Sequence, residues 1–171
     1  MKINFACGKQ TFPDYYCVDA VQHPKASRPL DLVHAFTFDD KRLVNPLPLK
    51  DGCADELHAY HFIEHVYRWE APAVLKEFYR LLKPSGKLVL ELPNLEAACK
   101  NLLAGGTDQM TMWPLYGDPG HRDPYMCHRW GYTPKTICRV VRLAGFEDVL
   151  VSPPRTHGVR KMRDMRVEGK R

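Results

Sequence analysis

His61-Phe62-Ile63-Glu64-His65 spells H-x-x-E-H. On one helix face, that pattern offers two imidazoles to zinc and a carboxylate as general base, the chemistry of a hydrolase. It needs a continuous helix and a third ligand from elsewhere. A second group of residues suggests different chemistry. Ala6-Cys7-Gly8 follows a short apolar stretch, and Gly8 lets a ligand approach the backbone closely. Asp19 closes the next apolar stretch, where a carboxylate can accept both hydroxyls of a ribose. Further on, His121 and His128 stand with Tyr116 and Tyr125 in a long stretch rich in proline, glycine and aromatic residues.

The elements around these residues decide between the two chemistries. Ile3–Ala6 and Tyr15–Val18 read as strands, Leu30–Phe36 as a third interrupted by His34, and Leu57–Tyr60 as a fourth. That fourth strand puts His61 at its exit, so only His65 would be helical and the zinc pattern loses its helix. Glu70–Leu82 reads as a helix with Pro72 in its first turn and a stripe of Val74, Leu75, Phe78, Leu81 and Leu82. Pro84 and Gly86 stop it. Lys87–Leu92 follows as a strand apolar enough to be covered on both faces. Leu95–Ala104 is a second helix, and Thr133-Pro134 caps a third that closes at Gly145. Phe146–Val151 and Arg163–Glu168 predict a final antiparallel pair. Alternating strands and helices imply a mostly parallel sheet, which binds ligands at the carboxyl ends of its strands. Only Lys9–Asp14 links the first two strands, short for a parallel crossover. The first helix is therefore expected to be short or missing.

In order and spacing the chain resembles the class I S-adenosylmethionine-dependent methyltransferases, especially compact bacterial members. The resemblance runs from Ile3 to about Val151. It rests on Ile3-Asn4-Phe5-Ala6-Cys7-Gly8, on Val18-Asp19, on Leu47-Pro48 through Asp55-Glu56-Leu57 to Glu64-His65, and on Leu82-Lys83-Pro84-Ser85-Gly86-Lys87-Leu88. It implies an α/β, Rossmann-like three-layer sandwich with a mostly parallel sheet and an antiparallel C-terminal strand, built as one domain over residues 1–171. It implies S-adenosylmethionine as cofactor, with Ala6, Cys7 and Gly8 beneath its methionine portion and Asp19 on its ribose. Tyr60 and His61 would line the methionine side, and Asn45 and Leu47 would border the adenine, or Asp39 or Asp40 if the third strand is shifted. His61 and then His121 are the candidate catalytic bases. Residues 105–132 would form a substrate-side loop or lid. Ala6 stands where the family's first loop usually has another glycine, which narrows the room there.

Bulk properties bound the partners. With 171 residues and 44% hydrophobic content, the chain suits one packed domain. Its net charge of +5 gives a weak preference for anions. The basic stretch Arg155–Arg171 reads as a solvated strand face and a frayed end. Asp118-Pro119 and Asp123-Pro124-Tyr125 are similar to the signature of amino-group nucleic-acid methyltransferases but do not follow the fourth strand, so nucleic acid is not the favoured partner. The acceptor is expected to be a small molecule or a glycan. Six scattered cysteines and no signal-like or membrane-spanning stretch lead to an expectation of reduced thiols, a cytoplasmic location and no membrane partner. No metal belongs to this reading. The alternatives are a zinc-dependent hydrolase using His61, Glu64 and His65, and a noncatalytic S-adenosylmethionine-binding module.

Overall fold

The computed structural model describes residues 1–120, 123–155 and 161–171. Short apolar runs become β1 (Lys2–Phe5), β2 (Tyr15–Asp19) and β3 (Leu32–Val33), and a two-residue-per-strand hairpin follows as β4 (Phe38–Asp39) and β5 (Arg42–Leu43). Next come β6 (Ala54–Tyr60), a single 3-10 turn at Ile63–His65, α1 (Ala71–Leu81) and β7 (Leu82–Pro93). The rest comprises α2 (Leu95–Leu103), α3 (Met112–Tyr116), a 3-10 turn at Pro124–Met126, α4 (Pro134–Leu143), β8 (Glu147–Ser152) and β9 (Asp164–Lys170). Seven strands form one sheet in the order β3-β2-β1-β6-β7-β9-β8. The first five in that order run parallel, and β9 is antiparallel to both β7 and β8. This is the α/β, mostly parallel sheet that the sequence implies.

One face of the sheet carries the core. Ile3, Phe5, Val18, Leu57, Ala59, Leu88, Leu90, Leu92, Met165 and Val167 pack there against Val74, Leu75, Phe78 and Leu81 of α1 and Ile137, Cys138 and Val141 of α4. At its centre the Phe5 ring stacks on Phe36 at 4.9 Å and meets Phe62 and Phe78 edge-on at 4.8 and 5.2 Å. The α4 helix is pinned at its start by a Thr133–Thr136 capping box.

The opposite face is polar. No helix follows β1 or β2, so the first helix is absent. The crossover can omit it because β1 has only four residues, a rise of roughly 13 Å that the extended segment 6–14 can retrace. Irregular chain covers the sheet instead. Asn4 donates to the Gln10 carbonyl, Arg28 reaches the Cys17 sulfur, and the Arg155 amide donates to Glu91. Beneath runs a ladder of charges: Lys2 to Glu56, Glu56 to His58, His58 to Tyr60, then Arg166 bridging Glu91 at 2.9 Å and Glu168 at 2.7 Å. Burial lowers the pKa of His58 in this ladder.

Three expectations need correction. The third strand is two residues long, because His34 turns away to meet the Asn45 carbonyl at 2.9 Å. The fifth strand of the sequence reading starts earlier, at Leu82, since Ser85 and Gly86 exchange main-chain hydrogen bonds with Arg171. The basic C-terminal stretch is not a frayed end: β9 lies inside the sheet between β7 and β8, with Arg163 and Arg166 buried. Arg160 lies outside the described residues. Because Glu91 is 1% exposed, removing Arg166 takes a cation away from a buried carboxylate. Arg166→Met is expected to lower the unfolding free energy by about 3 kcal/mol, measured by urea denaturation; a loss below about 1 kcal/mol would show that the pair carries no such weight.

Candidate active site at the strand ends

Beyond β1 the chain turns sharply. Ala6 and Gly8 both take left-handed backbone angles, with φ of 53° and 55°. A Cβ built on Gly8 would meet nothing within 4 Å, so open space lies beside this loop. The loop is fastened to the end of β2: the Gly8 amide donates to Asp19 Oδ2 and the Ala20 amide to Oδ1, both at 2.7 Å. Each carboxylate oxygen accepts one of these bonds and keeps capacity for another. Cys7 is buried, and burial first, with Cys17 and Asp19 nearby, pushes its thiol up to about 12.

The exit of β6 makes the second half. His61 has φ of 50°, and its amide donates to the Glu91 carbonyl on β7. The ring then sits between two buried carboxylates, Nδ1 3.1 Å from Glu64 Oε1 and Nε2 3.4 Å from Asp164 Oδ2. Asp164 opens β9 opposite Pro93 and is also held by Arg163 at 3.1 Å. The zinc-hydrolase arrangement is not formed. Ile63–His65 is one 3-10 turn, and His61 precedes it in a left-handed conformation rather than sharing a helix face with His65.

Glu64 joins the sheet edge to the segment 105–132. Its carbonyl accepts the amides of Arg129 and Trp130 at 2.7 and 3.2 Å. Next to it, His65 Nδ1 lies 3.1 Å from the Cys127 carbonyl, and the His65 and His128 rings meet edge-on at 4.8 Å. His128 Nδ1 contacts the Pro114 carbonyl at 2.9 Å. Burial favours protonating Glu64, yet His61, His65 and His128 together win and lower its pKa; burial lowers that of His128. The described residues of the segment are well built rather than loose. It contains α3, and Gly117 turns it with φ of 96° where a Cβ would lie 2.2 Å from the Met126 carbonyl oxygen.

Five aromatic and basic side chains flank this junction. Tyr67 and Trp69 stack at 4.7 Å, Arg129 lies 4.6 Å over Tyr67, and Arg68 lies 4.7 Å over Trp130. Tyr67, Trp69 and Trp130 remain exposed. Trp69 also borders a cleft of about 580 Å³ with Lys41, Arg42 and Lys76, away from the strand ends that carry Gly8 and Asp19.

A profile of the methyltransferase domain family matches residues 4–151. This chain belongs to the methyltransferase family. Three solved structures show the same fold as this methyltransferase. An S-adenosylmethionine-dependent methyltransferase from Archaeoglobus fulgidus superposes with a TM-score of 0.65 at 16% identity, over 99% of this chain and 85% of the other. A Thermotoga maritima enzyme, described as a possible histamine N-methyltransferase, gives 0.61 at 16% identity over 99% and 81%. The 1,6-didemethyltoxoflavin-N1-methyltransferase of Burkholderia thailandensis, solved with its acceptor and S-adenosylhomocysteine, gives 0.56 at 11% identity over 99% and 70%. No curated protein matches the sequence.

In the methyltransferase, the residues singled out from sequence fall into two sets. Ala6, Cys7, Gly8, Asp19 and His61 gather at the strand ends. Tyr60 turns its hydroxyl to His58 on the polar face, Asn45 spends its amide on Thr37 and Ala35, and Leu47 is buried with its amide on Glu77. His121 lies outside the described residues. Sequence reasoning missed Asp164 and its partner Arg163, which sit about a hundred residues beyond His61; Asp164 meets it through the β7–β9 pairing. It named His128 only in passing, and Glu64 only as a hydrolase base and as part of the Glu64-His65 pair in the family resemblance. No described helix is long and apolar enough to cross a membrane. With its pKa near 12, about one Cys7 thiol in 10⁴ is ionised at pH 8. Alkylation mapped by mass spectrometry is expected to label exposed Cys99 and Cys127 and spare Cys7; fast labelling of Cys7 would contradict its burial.

Proposed function

We propose that this methyltransferase moves a methyl group from S-adenosylmethionine to a small, ring-bearing polar acceptor, a sugar or glycan precursor being the class that fits best. The aromatic and arginine platform carries this reading. The exposed side chains of Trp69 and Trp130, beside the Tyr67 stack, suit the apolar face of a sugar ring, while Arg68 and Arg129 supply donors to its hydroxyls. The platform adjoins the segment 105–132, which closes the substrate side.

The residues present fit the cofactor. Open space beside Gly8 admits the methionine portion, and Asp19 retains acceptor capacity for the ribose hydroxyls. Cys7 and Ala6 shape this loop, and Tyr60, Asn45 and Leu47 frame the site through the sheet and the chain that follows the hairpin. When bound, the cofactor supplies an already activated methyl group. The protein then has to align the acceptor and exclude water. His61 acts as base where the acceptor must lose its proton early, its ring fixed by Glu64 and Asp164.

Calorimetry and transfer of labelled methyl groups to a sugar and small-molecule panel test this. Asp19→Ala is expected to weaken S-adenosylmethionine binding at least about tenfold through lost charged hydrogen bonds. His61→Ala should lower kcat by about 10² or more while cofactor affinity stays within about twofold. Trp130→Ala should raise the acceptor KM about tenfold and leave kcat nearly unchanged. Unaltered cofactor binding in Asp19→Ala would sink the site assignment. Transfer only to nucleic acid, with binding that falls steeply with salt, would sink the acceptor class.

A further inference from the structure

A cluster beside the proposed transfer site is not used by that chemistry. One ligand atom from each of Glu64, His65 and His128 lies within 4.8 Å of the other two. We infer that these three residues form a binding site for one divalent transition-metal ion of zinc type, which clamps the substrate-side segment to the sheet edge.

Three observations carry the inference independently of the reaction. First, Glu64 is 2% exposed, and its oxygens are used unequally: Oε1 faces His61, whereas Oε2 is buried with no hydrogen-bond partner among the described residues. A buried anionic oxygen without a donor is costly, and a bound cation is one of the few things that relieves it. Second, both imidazoles are held in a tautomer that metal ligands use. His65 Nδ1 and His128 Nδ1 lie against the Cys127 and Pro114 carbonyls. A carbonyl only accepts, so each Nδ1 carries the hydrogen and each Nε2 keeps its lone pair. Third, the chemistry of the set is selective. Two imidazoles and one carboxylate suit zinc and its neighbours, whereas calcium and magnesium want oxygen ligands throughout. Ligand atoms about 2.1 Å from a tetrahedral ion stand roughly 3.4 Å apart, so side-chain rotation of about an ångström completes the site.

The placement gives the ion a task. Glu64 and His65 belong to the turn after β6, and His128 to the returning end of the 105–132 segment, so one ion would cross-link the two. Three protein ligands leave a fourth position open, the arrangement of an accessible rather than a sealed zinc site.

The test uses the purified full chain after treatment with a chelator, with Co²⁺ as a spectroscopic probe and Zn²⁺ as competitor. The expected result is saturable uptake of one Co²⁺ with the intense visible bands of four-coordinate cobalt, abolished by one equivalent of Zn²⁺. His128→Gln and Glu64→Gln should weaken uptake about 100-fold or more, given that loss of mere supporting partners already costs 10–100-fold. His23→Gln, on a histidine outside the cluster, should leave it unchanged. Excess Zn²⁺ should raise the unfolding midpoint of the wild type by about 5 °C or more, and not that of His128→Gln. Uptake that survives in His128→Gln overturns the inference. Should the variants fail to fold, the wild-type titration still decides: no saturable uptake, or only the weak bands of six-coordinate cobalt, overturns it.

Discussion

The substrate side of the site depends on one buried carboxylate, Glu64, and on what its residue holds at both ends. Its side chain steadies His61 at the exit of β6, and its carbonyl takes the amides of Arg129 and Trp130 from a segment more than sixty residues later. A buried charge is tolerated only when compensated, and here the hydrogen bond between His61 and Oε1 is the largest compensating contribution. The same residue therefore fixes the candidate base and anchors the aromatic platform. Its position follows from the left-handed turn at His61, which ends the strand just before the single 3-10 turn at Ile63–His65.

The sheet beneath this site is unusual in what covers it. On the core side, α1 and α4 bury a continuous apolar layer. On the other side no helix follows β1 or β2, and a ladder of paired charges lies under irregular chain. A polar face needs no apolar helix to satisfy it, since each charge has its partner within the sheet. The economy has a structural consequence. Without a first helix, the loop after β1 is held by the Asp19 carboxylate through the Gly8 amide, so the residue proposed to read the ribose also shapes the loop proposed to receive the methionine portion.

Much of this was legible in sequence because it depends on local signals. The Pro72 start and apolar stripe defined α1, the Thr133-Pro134 cap defined α4, and Gly8 and Asp19 were placed by the ends of apolar runs. The missing first helix was legible as well, as a matter of chain length. What stayed hidden depends on pairing between distant segments. Asp164, held by Arg163, reaches His61 only because β9 inserts between β7 and β8, which no local pattern in a basic tail reveals. His128 meets His65 only because Gly117 and the Pro124–Met126 turn fold the long segment back. Tyr60 and Asn45 illustrate the converse: strand-end position suggested a role at the ligand, while side-chain direction sent their polar groups into local bonds.

Hydrogen exchange resolved to single amides, comparing the wild type with Glu64→Ala, tests most directly whether this carboxylate organises the site. Loss of the anion should release His61 and the turn, and protection should fall at Arg129, Trp130 and neighbouring amides of 123–132 while the β6–β7 and β7–β9 ladders keep theirs. Unchanged protection at Arg129 and Trp130, or a uniform loss across the whole sheet, would contradict a local tie centred on Glu64.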